Sequence, residues 1–279
     1  MSKTESGPRI EQIPLGRRLL RVVRSETVTP RMRRIVLAGE DLAEGFPWQP
    51  MACADHVKVF FPRPGGDDLT GGEVVMPRVH DDAWHQDATG PAPLYRDYTV
   101  RAWDPGRREL TLDFVLHPHG IGGAWAGVAQ AGDPVGVLGP RGHVHYPSGH
   151  AWYLVAGDET ALPAVARFIE ELPGTARGVA LVEVADAAEQ QRLEGAAGIA
   201  VQWVRRDRGE DLATAVRAVA VPGHDDWFAF AAGEATLVKP VRRYLRRELG
   251  LPPDRVDVDG YWKRGTVNLD HHQVEDEQA

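Results

Sequence analysis

The chain contains a single cysteine, Cys53, among its 279 residues. One thiol excludes an internal disulfide, a zinc site of several thiolates and a four-cysteine iron–sulfur cluster. Long apolar runs are missing as well. No stretch approaches the roughly 18 consecutive apolar residues that a spanning helix requires, so no membrane insertion is expected. The opening residues, MSKTESGPRI, lack an apolar segment and do not read as a signal peptide. A cytoplasmic protein is the expectation. Net positive charge is also absent: the formal charge is −8, which gives no general attraction to nucleic acid. There is no internal repeat, no helical HExxH pattern and no GxSxG elbow. The histidine pairs His117 and His119, His143 and His145, and His271 and His272 have no cysteine companion, and no metal site is expected.

What is present divides into two halves of different rhythm. The first half reads as β-structure. RRIVLAG and DHVKVFFP are short β-branched or aromatic runs bounded by Gly and Pro. In ELTLDFVLH, Leu110, Leu112, Phe114 and Leu116 alternate with Thr111, Asp113 and Val115, the period of a half-buried strand. DPVGVLGPRG adds another strand. Such strands without a convincing amphipathic helix imply a barrel or sandwich. Residues 62–93, rich in Pro, Gly and Asp, receive no structure; a loop of that length is usually functional or disordered.

From about His150 strands alternate with helices, which implies a mostly parallel sheet covered on both faces. AWYLVAG is a continuous apolar strand, and ALPAVARFIEELPG a helix with Thr160 as its expected N-cap, Pro163 in its first turn and Pro173-Gly174 as its stop. GVALVEVAD, IAVQWVRRD and WFAFAAG read as strands, and DLATAVRAVAV as a helix. In LVKPVRRYLRRELG a helix is expected to begin near Pro240, since proline disrupts a helix interior. The fold class is therefore an N-terminal antiparallel β-barrel over residues 14–147, an open, mostly parallel α/β sheet over 150–262, and a loose polar tail over 263–279.

Several segments carry ligand chemistry. In RDYTVR, strand alternation sends Arg96 and Tyr98 one way and Thr99 and Arg101 the other. This fits either a flavin nucleotide, with arginine forks for phosphate, or a strand with one wet face. HGIGGAWAGVAQ opens a short helix at Gly122 or Gly123, where free N–H groups favour an anion. GDETALPAV is a strand–turn–helix junction at the carboxyl end of a strand, where open α/β sheets bind ligands, though it is not the GxGxxG fingerprint. AAGEA lies at the same edge. Arg205 and Arg206 can receive a ribose 2′-phosphate or end a solvated strand equally well.

Taken in order, RDYTVR, HPHGIGGAWA with GDPVGVLGPRG, GDETALPAV, AAGEA and GYWKRG resemble the siderophore-interacting proteins, ferric-siderophore reductases of the ferredoxin–NADP reductase-like superfamily, over residues 14–265. The resemblance implies an FAD-binding barrel and a domain for NADPH or NADH. It implies that Tyr98 packs on the isoalloxazine, that an arginine, Arg96 or Arg101, pairs with the pyrophosphate, and that Thr99 lies by flavin N5. His117, His119, Gly120, Gly122, Gly123, Ala124 and Trp125 would cradle the diphosphate, or form a Gly-rich turn with Trp125 as core filler. Where the family often has Pro and Ser before the tryptophan, this chain has Gly and Ala. Asp158, Glu159, Thr160, Gly233 and Glu234 would flank the nicotinamide nucleotide, with Arg205 and Arg206 at the ribose. Tyr261 and Trp262 would shield the flavin or simply pack. Lys58, Lys239, Arg243, Lys263 and Arg264 would attract an anionic ferric siderophore, or serve only solubility. Catalysis would be flavin-centred, with no catalytic side chain, and ferredoxin is a possible partner. The alternatives are a general NAD(P)H–flavin reductase, a ferredoxin-coupled flavoprotein, or a flavin- or siderophore-binding protein without turnover.

Overall fold

The computed structural model describes residues 7–66, 68–86, 89–117, 120–223 and 226–266. His119, His271, His272 and most of the expected tail lie outside the described residues. The chain divides into two compact units, 10–144 and 145–279 with the N-terminal nine residues.

The first unit begins with β1 (Arg9–Gln12), β2 (Arg17–Thr29), β3 (Met32–Ala38) and β4 (His56–Phe61). A short hairpin follows, β5 (Arg78–His80) and β6 (Ala83–His85), then β7 (Leu94–Asp104), β8 (Glu109–Val115), α1 (Ile121–Val128), β9 (Pro134–Leu138) and β10 (Gly142–His145). Six strands close a barrel in the order β2-β3-β8-β7-β4-β9, and β1 pairs with β10. Closure removes the open edges that would otherwise offer unpaired backbone groups. The interior is filled by Leu20, Ile35, Val59, Leu112, Phe114 and Val137, each less than 1 % exposed.

β1, β2 and the β5–β6 hairpin escape a reading of the sequence. In β2 the inward Leu20 and Val22 alternate with Arg17, Leu19 and Arg21, so charge masks the period. The β5–β6 hairpin lies within the 62–93 segment left without structure, and turns on Asp81 and Asp82, both left-handed at φ 52° and 55°. Positive φ at both central residues is the geometry of a two-residue hairpin turn, which aspartate tolerates.

The strand ELTLDFV departs from simple alternation at Asp113, which is buried. Arg34, its cross-strand partner, donates two bonds to it at 2.7 Å, and Arg101 Nε lies 3.8 Å away. A bidentate charge-assisted pair offsets the desolvation of the carboxylate.

The second unit contains β11 (Trp152–Gly157), α2 (Leu162–Glu171), β12 (Arg177–Val184), β13 (Ile199–Arg205), α3 (Leu212–Ala218), β14 (Trp227–Glu234), α4 (Ala235–Arg243) and β15 (Val256–Trp262). The sheet order is β13-β12-β11-β14-β15, with every neighbouring pair parallel. α3 and α4 pack with Leu154, Ala156, Leu181 and Ala229 on one face, while α2 lies against the other, where a Cβ on Gly157 would meet Ala161 and Val165. Among the described residues no helix is long and apolar enough to cross a membrane.

Two local expectations change. Thr160 does not cap α2: its N–H and hydroxyl both donate to Asp158 Oδ1, at 2.8 and 2.5 Å, and the helix starts after Ala161 with no side-chain cap. The preceding aspartate takes the threonine's donors in an Asx-type turn. The last helix begins at Ala235 rather than near Pro240, because Glu234 accepts from Thr236 N–H at 2.8 Å and Leu237 N–H at 3.0 Å and starts it earlier. Pro240 then sits inside the helix, and a π-turn follows over Tyr244–Glu248. Tyr261 and Trp262 end β15.

Removing the central carboxylate should cost the barrel its buried pair. Asp113→Ala is expected to lower the unfolding free energy by about 2 kcal/mol, reduced from a fully buried pair by the partial exposure of Arg34. The shift in urea midpoint measures it.

Candidate flavin and nucleotide sites

The ladder between β4 and β7 sets the side chains of RDYTVR. Tyr98 lies opposite Val57 and Arg96 opposite Val59, both core valines, so these two face the barrel interior. Asp97 lies opposite Lys58 and binds it at 2.8 and 3.1 Å on the outer side. Thr99 and Arg101 also lie outward, Thr99 buried and Arg101 directed at Asp113. A bulge between Val100 and Ala102 follows immediately.

The Tyr98 ring is half-buried, 4.1 Å from the Phe114 ring centroid and edge-on to Phe61. Its hydroxyl lies over the first turn of α1, where a Cβ on Gly122 would come within 2.1 Å of it. Burial pushes the Tyr98 phenol well up, against the nearby Arg96 charge, so it stays neutral. A Cβ on Gly123 would meet the Val115 carbonyl and His117 backbone at 2.9 Å. Glycines are required here by close approach rather than by φ.

Gly120 occupies the N-cap of α1 in an extended conformation, without a side-chain cap and with no acidic residue in the first turn. The N–H groups of this turn are thus left to an anion, and the lack of neighbouring negative charge favours a diphosphate. Arg96 Nη1 donates to the Tyr95 carbonyl at 2.5 Å. Of the two readings of Trp125, cofactor contact or core filler, its burial fits the second: it is fully buried between Phe61 and Phe114, and among the described residues its indole N–H has no hydrogen-bond partner. It packs beneath the glycine turn as core.

In the α/β unit the chain leaves β11 toward β12 and β13 on one side, then returns to β14 and β15 on the other. The reversal places a crevice between the carboxyl ends of β11 and β14, the ligand position of open α/β sheets. Asp158 and Glu234 both lie there, and both are buried. Asp158 Oδ2 accepts from Glu234 N–H at 2.9 Å and from the Trp262 indole at 3.0 Å. Burial raises the Asp158 pKa, and the hydrogen bonds from Thr160, Trp262 and Glu234 oppose that rise.

The expected 2′-phosphate ligands are engaged. Arg206 binds both oxygens of Glu159 and lies 3.2 Å from Glu183, while Glu159 also accepts from Ala185 N–H. Burial works to lower the Arg206 pKa, but these carboxylates outweigh it and hold the guanidinium charged. Arg205 pairs with Asp207 at 2.7 Å. Sequence alone shows the cations; it does not show that Glu159, after β11, and Glu183, in β12, meet Arg206.

The proposed substrate cations differ in their surroundings. Lys58 is neutralised by Asp97 and lies over the Tyr95 ring. Lys239, Arg243, Lys263 and Arg264 are exposed. His143 belongs to a buried pair with Asp55 at 2.5 Å, and no group of three metal-ligating side chains occurs among the described residues.

A closed antiparallel barrel followed by a parallel sheet with this crevice is the fold of the ferredoxin–NADP reductase-like flavoproteins. A ferredoxin reductase of carbazole 1,9a-dioxygenase, 13% identical, shares it with a TM-score of 0.61 over 90% of this chain and 70% of its own. Residues 21–144 match the family model of the siderophore-interacting FAD-binding domain, and residues 150–265 that of the siderophore-interacting protein. The chain belongs to the siderophore-interacting protein family. It is 34% identical to the ferric vibriobactin reductase of Vibrio cholerae over 266 residues, covering 92% of this chain and 93% of the relative. It is equally 34% identical to the NADPH-dependent ferric-chelate reductase of Escherichia coli, with 94% and 99% covered. A siderophore utilization protein from T. fusca is 46% identical, with a TM-score of 0.85 over 95% of this chain and 99% of its own.

The approach of Gly122 to Tyr98 yields a direct test. Gly122→Ala is expected to displace the tyrosine ring and lower FAD occupancy, read as the ratio of flavin to protein absorbance. Adding Tyr98→Phe, which removes the clashing hydroxyl, should restore part of that occupancy.

Proposed function

We propose that the protein is an FAD-dependent NAD(P)H:ferric-siderophore reductase that releases iron as Fe(II). The observation that carries this reading is the uncapped, glycine-lined start of α1 against the Tyr98 ring. It supplies an anion-binding helix end beside an aromatic platform, in a barrel of an FAD-binding family. Tyr98 supports the isoalloxazine, and Arg96 or Arg101 meets the pyrophosphate with the N–H groups of Gly122 and Gly123. Thr99 reaches the flavin through its backbone. Bound FAD supplies the redox chemistry, accepting a hydride from the nicotinamide and passing electrons singly to Fe(III).

The protein's own task is to bind and orient. The crevice at Asp158, Thr160, Gly233 and Glu234 receives the nicotinamide nucleotide. Asp158 and Glu234 shape it through backbone and side-chain donors instead of contacting phosphate. The exposed Lys239, Arg243, Lys263 and Arg264 attract an anionic ferric siderophore. Reduction loosens the complex because Fe(II) binds hard oxygen ligands less tightly than Fe(III). No side chain is required as general acid or base. Cytoplasmic action on imported siderophores is part of the same reading, and ferredoxin is the alternative donor.

The test is an anaerobic visible spectrum of the FAD-loaded protein. Bleaching with NADPH or NADH and recovery with a ferric siderophore are expected. A bound flavin that neither nicotinamide bleaches would remove NAD(P)H as donor and favour ferredoxin. Retention of FAD with no reoxidation by the siderophore would sink the substrate assignment. A second expectation concerns the donor: Glu159→Gln should release Arg206 from one carboxylate pair and raise kcat/KM for NADPH several-fold relative to NADH. An unchanged ratio would remove Arg206 from the ribose site.

A further inference from the structure

In sequence, Asp158 and Glu234 look like acidic neighbours of a nucleotide; their hydrogen bonds run to the end of the last strand. Asp158 Oδ2 accepts from the Trp262 indole at 3.0 Å. Glu234 Oε1 accepts from the backbone N–H of Arg264 at 3.1 Å, while its other oxygen caps α4. Asp158 also accepts from Glu234 N–H at 2.9 Å, which joins the two carboxylates' supports. The backbone is correspondingly tight. Gly233 has φ 149°, and a Cβ there would lie 2.8 Å from the Asp158 carboxyl carbon; a Cβ on Gly260 would lie 2.8 Å from Ala235 Cβ. The ends of β11, β14 and β15 and the start of α4 form one knot. The turn carrying Lys263 and Arg264 projects from it, closed by Thr266 N–H donating to the Lys263 carbonyl at 3.0 Å.

We propose that Asp158 and Glu234 are positioning residues for the ferric siderophore: they anchor Trp262 and Arg264 so that Lys263 and Arg264 are held ready for an anionic chelate. The inference rests on the proposed role of those two cations as substrate contacts. A loose terminal segment would have to lose backbone and side-chain freedom on binding, and a tethered turn has already lost much of it. Buried carboxylates beside a binding site for anions would otherwise be unfavourable. Here each negative charge is satisfied by donors from the segment that carries the positive ones.

The experiment uses the FAD-loaded full chain in three forms: Trp262→Phe, Asp158→Asn and the double variant. Phenylalanine keeps a ring and removes only the indole donor. Each protein is titrated with the ferric complex of 2,3-dihydroxybenzoate, followed by flavin fluorescence, and hydrogen exchange is measured across residues 262–266. Each single change is expected to weaken binding to the FAD-loaded fraction by roughly fivefold and to speed exchange. The double variant should be no weaker than the weaker single, because both changes cut one link. Wild-type affinity in Trp262→Phe, multiplying losses, or unchanged exchange would overturn the anchoring. If Asp158→Asn fails to fold, Trp262→Phe decides alone. A wild-type chain that does not bind the chelate would defeat the substrate reading instead, and hydrogen exchange would still decide whether the anchor exists.

Discussion

Four donors converge on the Asp158 carboxylate: the Thr160 N–H and hydroxyl, the Glu234 N–H and the Trp262 indole. They come from three different strand ends, and no hydrophobic contact could impose the same register on them. A parallel sheet fixes the direction of its strands but leaves their carboxyl ends with unpaired backbone groups. One buried anion gathers those ends and defines the edge of the crevice. The turn before α2, the start of α4 and the end of β15 all take their positions from it.

The barrel solves a related problem with the opposite charge balance. The first turn of α1 carries no acid at all, so its first N–H groups remain available. Beneath them Phe61, Phe114 and Trp125 make a dense aromatic floor, and Tyr98 is its partly exposed member. Rigid support of this kind holds an aromatic platform without spending binding energy on ordering it.

Much of this was legible beforehand, for identifiable reasons. The alternation of Leu110, Leu112 and Phe114 and the βα rhythm after His150 are strong periodic signals, and they marked the barrel and the sheet. The order of the short motifs pointed to the family. β2 was hidden because arginines occupy its outward positions, and the 78–85 hairpin because it is short and turns on two aspartates. The roles of charged residues were hardest to read. Lys58, Arg205 and Arg206 each stand in sequence as available cations, yet Asp97, Asp207, Glu159 and Glu183 meet them. Only Asp207 is close in sequence to its partner; the other pairings are made by the tertiary fold. Trp125 illustrates the converse: a residue in the glycine-rich segment whose side chain is entirely core.

The burial of Cys53 has a practical side. Thiol reductants are poor companions for ferric chelates, since they can reduce the iron and obscure an enzymatic rate. This chain's only thiol is 0% exposed, beyond the reach of exchange with solvent disulfides or of oxidation at the surface. The folded protein can therefore be handled in thiol-free buffer without covalent dimers forming, and no protein thiol competes as a reductant of the chelate.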